Sequence, residues 1–129
     1  MKVVRTDAAP AAIGPYSQAI AEGALLFTSG QLPIDPASGD LRNSDIASAA
    51  RQVLSNLRAV LVAGGADMNT VIKTTVFLSD IGNFQAFNAV YAEFFREPFP
   101  ARSCVQVAAL PKGALVEIEA VAARKQEPA

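Results

Sequence analysis

The residues best suited to chemistry in this sequence sit near its C-terminal end, on two stretches that alternate as strands do. In Ala101–Val107 and Leu115–Ala123 a polar or charged group recurs at every second position. Successive side chains on a strand point to opposite faces. Arg102, Cys104 and Gln106 therefore share one face of the first strand, and Glu117 and Glu119 share one face of the second. The connection Ala108–Ala114 is short and holds Pro111 and Gly113, which predicts antiparallel pairing of the two strands. An arginine and carboxylates would then project from neighbouring strands on the same side. Such a group can act as an Arg fork that grips a ligand carboxylate, with a Glu close enough to handle a water or a proton. The plainer alternative is a cross-strand ion pair worth ~0.2–1 kcal/mol. Alternation alone favours that alternative, because ion pairs outnumber catalytic pairs.

The histidine count of zero narrows the chemistry further. It excludes a Ser-His-Asp or Cys-His catalytic group and any His-liganded metal. A single cysteine excludes a Cys-rich zinc or iron–sulfur site. Proton transfer must use a carboxylate, Tyr, Lys, the thiol or water. Cys104 has no His or cation cluster near it in sequence to make a thiolate, and reads first as a small buried hydrophobe. Ser29-Gly30, at a strand end, and Tyr16, after Gly14-Pro15, are weaker candidates: one reads as turn chemistry, the other as packing.

The elements that must position these groups follow from the pattern. Strands are predicted at Lys2–Thr6, Ser17–Ala21, Leu25–Ser29 and Thr70–Leu78, the second and third joined as a hairpin at Glu22-Gly23. A helix is predicted from Ser44 to Gly64, capped by Ser44 and stopped by Gly64-Gly65, with Ile46, Ala50, Val53, Leu57, Val60 and Leu61 at helical spacing. A second helix is predicted over Asn83–Glu97, ended by Pro98, with a core stripe of Phe84, Phe87, Tyr91, Phe94 and Phe95. The order β-β-β-α-β-α-β-β predicts an α+β fold, a mixed sheet with both helices on one face. The other face is left bare.

The 129 residues are one domain's worth of chain, and 51% of them are hydrophobic. Apolar surface of that extent predicts that the bare sheet face packs against other subunits. A net charge of −1 with no basic run gives sequence-independent nucleic acid binding little support. The lone cysteine, the absence of a signal-like apolar stretch after Met1 and the lack of any membrane-length apolar window predict a soluble protein in a reducing, cytoplasmic compartment.

Five motifs taken together are far more specific than any alone. Ile13-Gly14-Pro15-Tyr16-Ser17-Gln18-Ala19, Thr28-Ser29-Gly30-Gln31, Val71-Ile72-Lys73-Thr74-Thr75-Val76, Phe99-Pro100-Ala101-Arg102-Ser103 and Val116-Glu117-Ile118-Glu119-Ala120 resemble the Rid (YjgF) family, in family order, from Arg5 to Ala123. The resemblance is to its branch of RidA-type 2-iminobutanoate/2-iminopropanoate deaminases. It implies a chorismate-mutase-like α+β subunit in a homotrimer whose sheets form a central barrel, with ligand sites in the clefts between subunits. It also implies a site built from Tyr16, Ser29, Gly30, Arg102, Cys104 and Glu117, with no metal and no cofactor. The stretch Arg96–Pro100 is shorter than in some relatives, which bears on the cleft rim and on substrate range.

The implied reaction suits the residue inventory. An imine is already an activated electrophile. Arg102 would hold the carboxylate of a 2-imino acid, and Glu117 would polarise water and shuttle a proton as ammonia leaves. Backbone groups at Cys104 and Gly30 would help hold substrate and water, with Tyr16 and Ser29 lining the cleft. The product is a 2-oxo acid, and the benefit would be protection of PLP enzymes from reactive enamines and imines. Two alternatives come from other classes: a non-catalytic binder of small carboxylates, and an endoribonuclease. The missing histidine and basic patch weigh against the latter.

Overall fold

The computed structural model describes residues 1–125. Its elements are β1 (Lys2–Val4), β2 (Ala19–Glu22), β3 (Leu25–Thr28), α1 (Ile46–Ala63), β4 (Val71–Leu78), α2 (Phe84–Phe94), β5 (Ala101–Gln106) and β6 (Val116–Ala123). The strands form one mixed sheet in the order β1-β2-β3-β6-β4-β5. All neighbours are antiparallel except β4 and β5, which α2 connects as a parallel pair. The α+β architecture with two helices on one sheet face is the expected one. No helix among the described residues is long and apolar enough to cross a membrane.

One pairing is not the expected one. β5 and β6 do not pair at all: β4 lies between them, parallel to β5 and antiparallel to β6. The connection from Val107 to Leu115 does not close a hairpin but carries the chain past the end of β4. There Val107 N donates to Leu78 O at 2.9 Å and Ser79 N donates to Leu115 O at 3.1 Å. A position between two strands suits β4, whose Val71, Thr74, Val76 and Leu78 are all buried.

Element ends also shift for local reasons. α1 is capped by Asp45 rather than Ser44, its carboxylate accepting from Ser48 N at 2.7 Å. β1 stops at Val4 because the side chain of Gln18 takes over its pairing. Thr6 N donates to Gln18 Oε1 at 2.7 Å, and Gln18 Nε2 donates back to Thr6 O at 3.0 Å. α2 ends at Phe94, earlier than expected. Phe95 turns to extended backbone and tucks its ring against Tyr91, centroids 4.4 Å apart. The residue before Pro98 is in any case disfavoured in a helix.

The core lies between helices and sheet. α1 presents Ala49, Ala50, Val53, Leu54, Leu57, Val60 and Leu61 with none of their surface exposed. Each fully buried Leu or Val contributes about 1.5–3 kcal/mol relative to exposure. At the C-terminal end of α1 the backbone meets β3 so closely that a Cβ on Gly64 would lie 2.6 Å from Leu26 Cδ2. The opposite sheet face carries Ile20, Phe27 and Val121 in register on β2, β3 and β6, and Phe77 and Val105 in register on β4 and β5. Neither α1 nor α2 covers it, and Phe27 and Val105 are each 45% exposed.

Candidate active site

Four of the six expected site residues, Tyr16, Ser29, Gly30 and Glu117, line one cavity of about 580 Å³. Three segments carry those four residues. The loop leading into β2 supplies Tyr16, the chain leaving β3 supplies Ser29 and Gly30, and the start of β6 supplies Glu117 and Glu119. Each segment is tied down. Gln18, 4% exposed, bonds Thr6 and donates to Pro10 O at 2.8 Å, fixing the first loop. Ser29 N donates to Gln18 O at 2.9 Å, and its hydroxyl donates to Ser17 O. Gln31 and Ile118 exchange backbone hydrogen bonds at 2.8 and 3.2 Å, which lays Gly30 directly against Glu117. The approach requires glycine: a Cβ there would lie 2.8 Å from Glu117 Cδ and overlap Oε2.

Glu117 is half-buried in this cavity. Burial, and then the like charge of Glu119, hold its carboxyl above the ordinary value of 4.5. That direction makes Glu117 a better base once ionised, and a group able to carry a proton.

Arg102 and Cys104 lie elsewhere. Arg102 is in register with Thr74 and Cys104 with Val76, both buried, so these side chains point to the helix-covered face. Glu117 is in register with Phe77 on the bare face. One strand, β4, and the sheet itself therefore separate Arg102 from Glu117 within one chain. This corrects the side-by-side placement, and with it the cross-strand ion pair. Strand alternation sorts side chains within each strand, but which groups meet across the sheet depends on the neighbouring strand, and here that neighbour is β4.

Arg102 is instead set in a cradle from α2. Its Nη1 donates to Asn88 Oδ1 at 2.8 Å, and its guanidinium lies 4.8 Å from the Tyr91 ring centroid and 5.5 Å from that of Phe84. Tyr91 is held in turn by a 2.8 Å hydrogen bond between its hydroxyl and Thr74 Oγ1. Among the described residues no carboxylate pairs with Arg102. An oriented, half-buried guanidinium of this kind is suited to a planar anion. Burial raises the Cys104 thiol pKa while Arg102 opposes the rise, so the thiol stays protonated near neutrality and is no nucleophile.

The sequence reading missed Asn88. The signal was present, since Phe84, Asn88 and Tyr91 fall at i, i+4 and i+7 on one helix face, a polar residue within an aromatic stripe. Lys112 at the cavity wall had no comparable signal.

The family model described as Endoribonuclease L-PSP matches residues 6–124. With the fold and motifs above, this chain belongs to the Rid (YjgF) family. Among its relatives, a 2-iminobutanoate/2-iminopropanoate deaminase from Bos taurus is 51% identical over 121 residues, covering 94% of this chain and 88% of the relative. The structure of the Rid-family protein YyfA from Yersinia pestis is 51% identical with a TM-score of 0.92, over 95% of this chain and 98% of that one. The structure of E. coli TdcF with bound serine is 45% identical with a TM-score of 0.92, over 97% of this chain and 100% of that one.

Proposed function

We propose that this chain hydrolyses 2-imino acids such as 2-iminobutanoate and 2-iminopropanoate to 2-oxo acids and ammonia, at a site completed between copies of the chain. The observation that carries the reading is the separation of two complementary half-sites. Glu117 sits in a cavity on one face, with its pKa raised and Gly30 beneath it, and Arg102 waits on the other face, its guanidinium oriented by Asn88 and paired with no carboxylate among the described residues. A second copy would bring its Arg102 to this copy's Glu117. The uncovered sheet face with Phe27 and Val105 supplies apolar surface for that association, which we assign as a homotrimer.

The chemistry then needs only these groups. Arg102 binds the substrate carboxylate through two hydrogen bonds and fixes C2. Glu117 takes a proton from a water as its oxygen bonds to C2, and the C=N π pair moves to nitrogen. Glu117 returns that proton to nitrogen to form the neutral carbinolamine, then moves the hydroxyl proton to nitrogen as the C=O bond forms and the C–N bond breaks, releasing ammonia and a 2-oxo acid. Tyr16, Ser29 and the backbone at Gly30 and Cys104 line the space around C2. A cytoplasmic setting beside PLP enzymes that release such imines fits the role. The bovine relative's deaminase name and the serine bound in E. coli TdcF, a small carboxylate, support the same reading.

The test is a competition. A PLP threonine dehydratase generates the imine, and semicarbazide traps it. Adding this protein is expected to lower semicarbazone formation. An unchanged trace together with calorimetric binding of 2-oxobutanoate would make the protein a carboxylate binder without turnover.

A further inference from the structure

The reaction above leaves the cation at the cavity, Lys112, unused. Lys112 lies in the short turn Pro111–Gly113 with φ 60° and ψ 15°. It is the only non-glycine residue with positive φ among the described residues. L-residues with a long side chain rarely adopt this left-handed conformation, and such strain collects at functional positions. A distant amide holds the turn in place: Asn43 Nδ2 donates to Gly113 O at 3.0 Å, and Leu115 N donates to Asn43 Oδ1 at 2.9 Å. The result is a lysine at the wall of the cavity that contains Glu117 and Glu119. Among the described residues it is the one cation lining that cavity, and it takes part in none of their ion pairs.

A small 2-imino acid or 2-oxo acid is an anion at neutral pH, and two carboxylates in the cavity oppose its entry. We propose that Lys112 is a specificity-determining residue that offsets this repulsion and draws small anionic substrates into the cavity. The strained turn is what keeps Lys112 at the wall. The assignment rests on the imine-deaminase reading of the same cavity. Lys112 carries no proton in the reaction; it acts on capture of the substrate.

The experiment compares Lys112→Asn with Lys112→Arg. Asn tolerates the left-handed conformation, so the turn survives while the charge is lost. At low ionic strength Lys112→Asn is expected to lower kcat/KM roughly tenfold, through KM with kcat little changed. The gap between parent and variant should close at ~1 M salt, where the screening length falls to about 3 Å. Lys112→Arg should recover most of the loss. Lys112→Asn should melt no lower than the parent, which separates the effect from unfolding. An unchanged KM at low salt, a loss insensitive to salt, or a loss confined to kcat would overturn the proposal. Calorimetry with 2-oxobutanoate decides the role of Lys112 independently of turnover. If the parent fails to hydrolyse imines, the deaminase reading falls; weaker 2-oxobutanoate binding by Lys112→Asn still supports capture by Lys112, and unchanged or absent binding refutes it.

Discussion

Replacing Gly30 with alanine isolates the geometry of Glu117 from the stability of the fold. Gly30 is not in the left-handed region, so alanine adds no strain there through positive φ. The new methyl would overlap the Glu117 carboxylate and lie 2.8 Å from its Cδ and 3.0 Å from its Cγ. The three nearest heavy atoms all belong to the Glu117 side chain, so the relief comes first from the end of that flexible side chain. Driving that carboxylate off its rotamer costs ~0.5–1.5 kcal/mol, and the melting temperature should fall by only a few degrees at most. The consequence for catalysis is larger. The carboxylate has to retreat by roughly 1 Å, and a misplacement of that size costs on the order of 100-fold in rate. In the semicarbazide competition, Gly30→Ala should lose about two orders of magnitude in kcat. Glu117→Gln should be similarly slow, and the double variant should be no slower than Glu117→Gln alone, because both changes remove the same group. Parent-like turnover in Gly30→Ala, or losses that multiply in the double variant, would refute the assignment of Glu117 as the group that handles the water.

The other predictions address the remaining parts of the site. Arg102→Lys keeps the charge but loses the planar fork that Asn88, Tyr91 and Phe84 orient, so kcat/KM should drop at least ~100-fold, on the scale of a lost charge-assisted contact of ~3 kcal/mol; calorimetric binding of 2-oxobutanoate at parental affinity would refute the clamp. The acid limb of the pH–kcat profile should have an apparent pKa above the ordinary glutamate value of 4.5, and Glu119→Gln should move it down, since burial and then Glu119 raise the Glu117 pKa. Because the folded pKa is raised, this group's stabilising contribution is complete below the unfolded pKa and is lost as pH rises through the folded one. Glu117→Gln should therefore be more stable than the parent at neutral pH, with the difference vanishing below about pH 4.5 in thermal melts. Sedimentation should give a trimer with no folded monomer at micromolar concentration; a monomer mass would remove the route by which Arg102 reaches Glu117.

Much of this protein was legible in the order of its residues. Helical spacing marked α1, because a surface helix must bury one stripe. A β-branched run marked β4, and alternation marked β5 and β6 and sorted Arg102 from Ser103 and Glu117 from Ile118, because side chains on a strand reverse at each step. These are local rules, and they held wherever the physics is local. Element ends were less legible. The end of β1 depends on Gln18, twelve residues from Thr6, and that of α2 on the packing of Phe95 against Tyr91.

The tertiary structure alone decided which strand lies beside which. A short connection between Val107 and Leu115 suggested a hairpin, but β4 offered both strands a fully hydrogen-bonded partner, with its buried residues matched to theirs. With β4 between them, Arg102 and Glu117 fall on opposite faces, and a pair that looked complete within one chain became two half-sites. Sequence fixes the face of a side chain relative to its own strand. Only the order of strands in the sheet, set by backbone pairing and burial across residues far apart in the chain, fixes what that side chain meets.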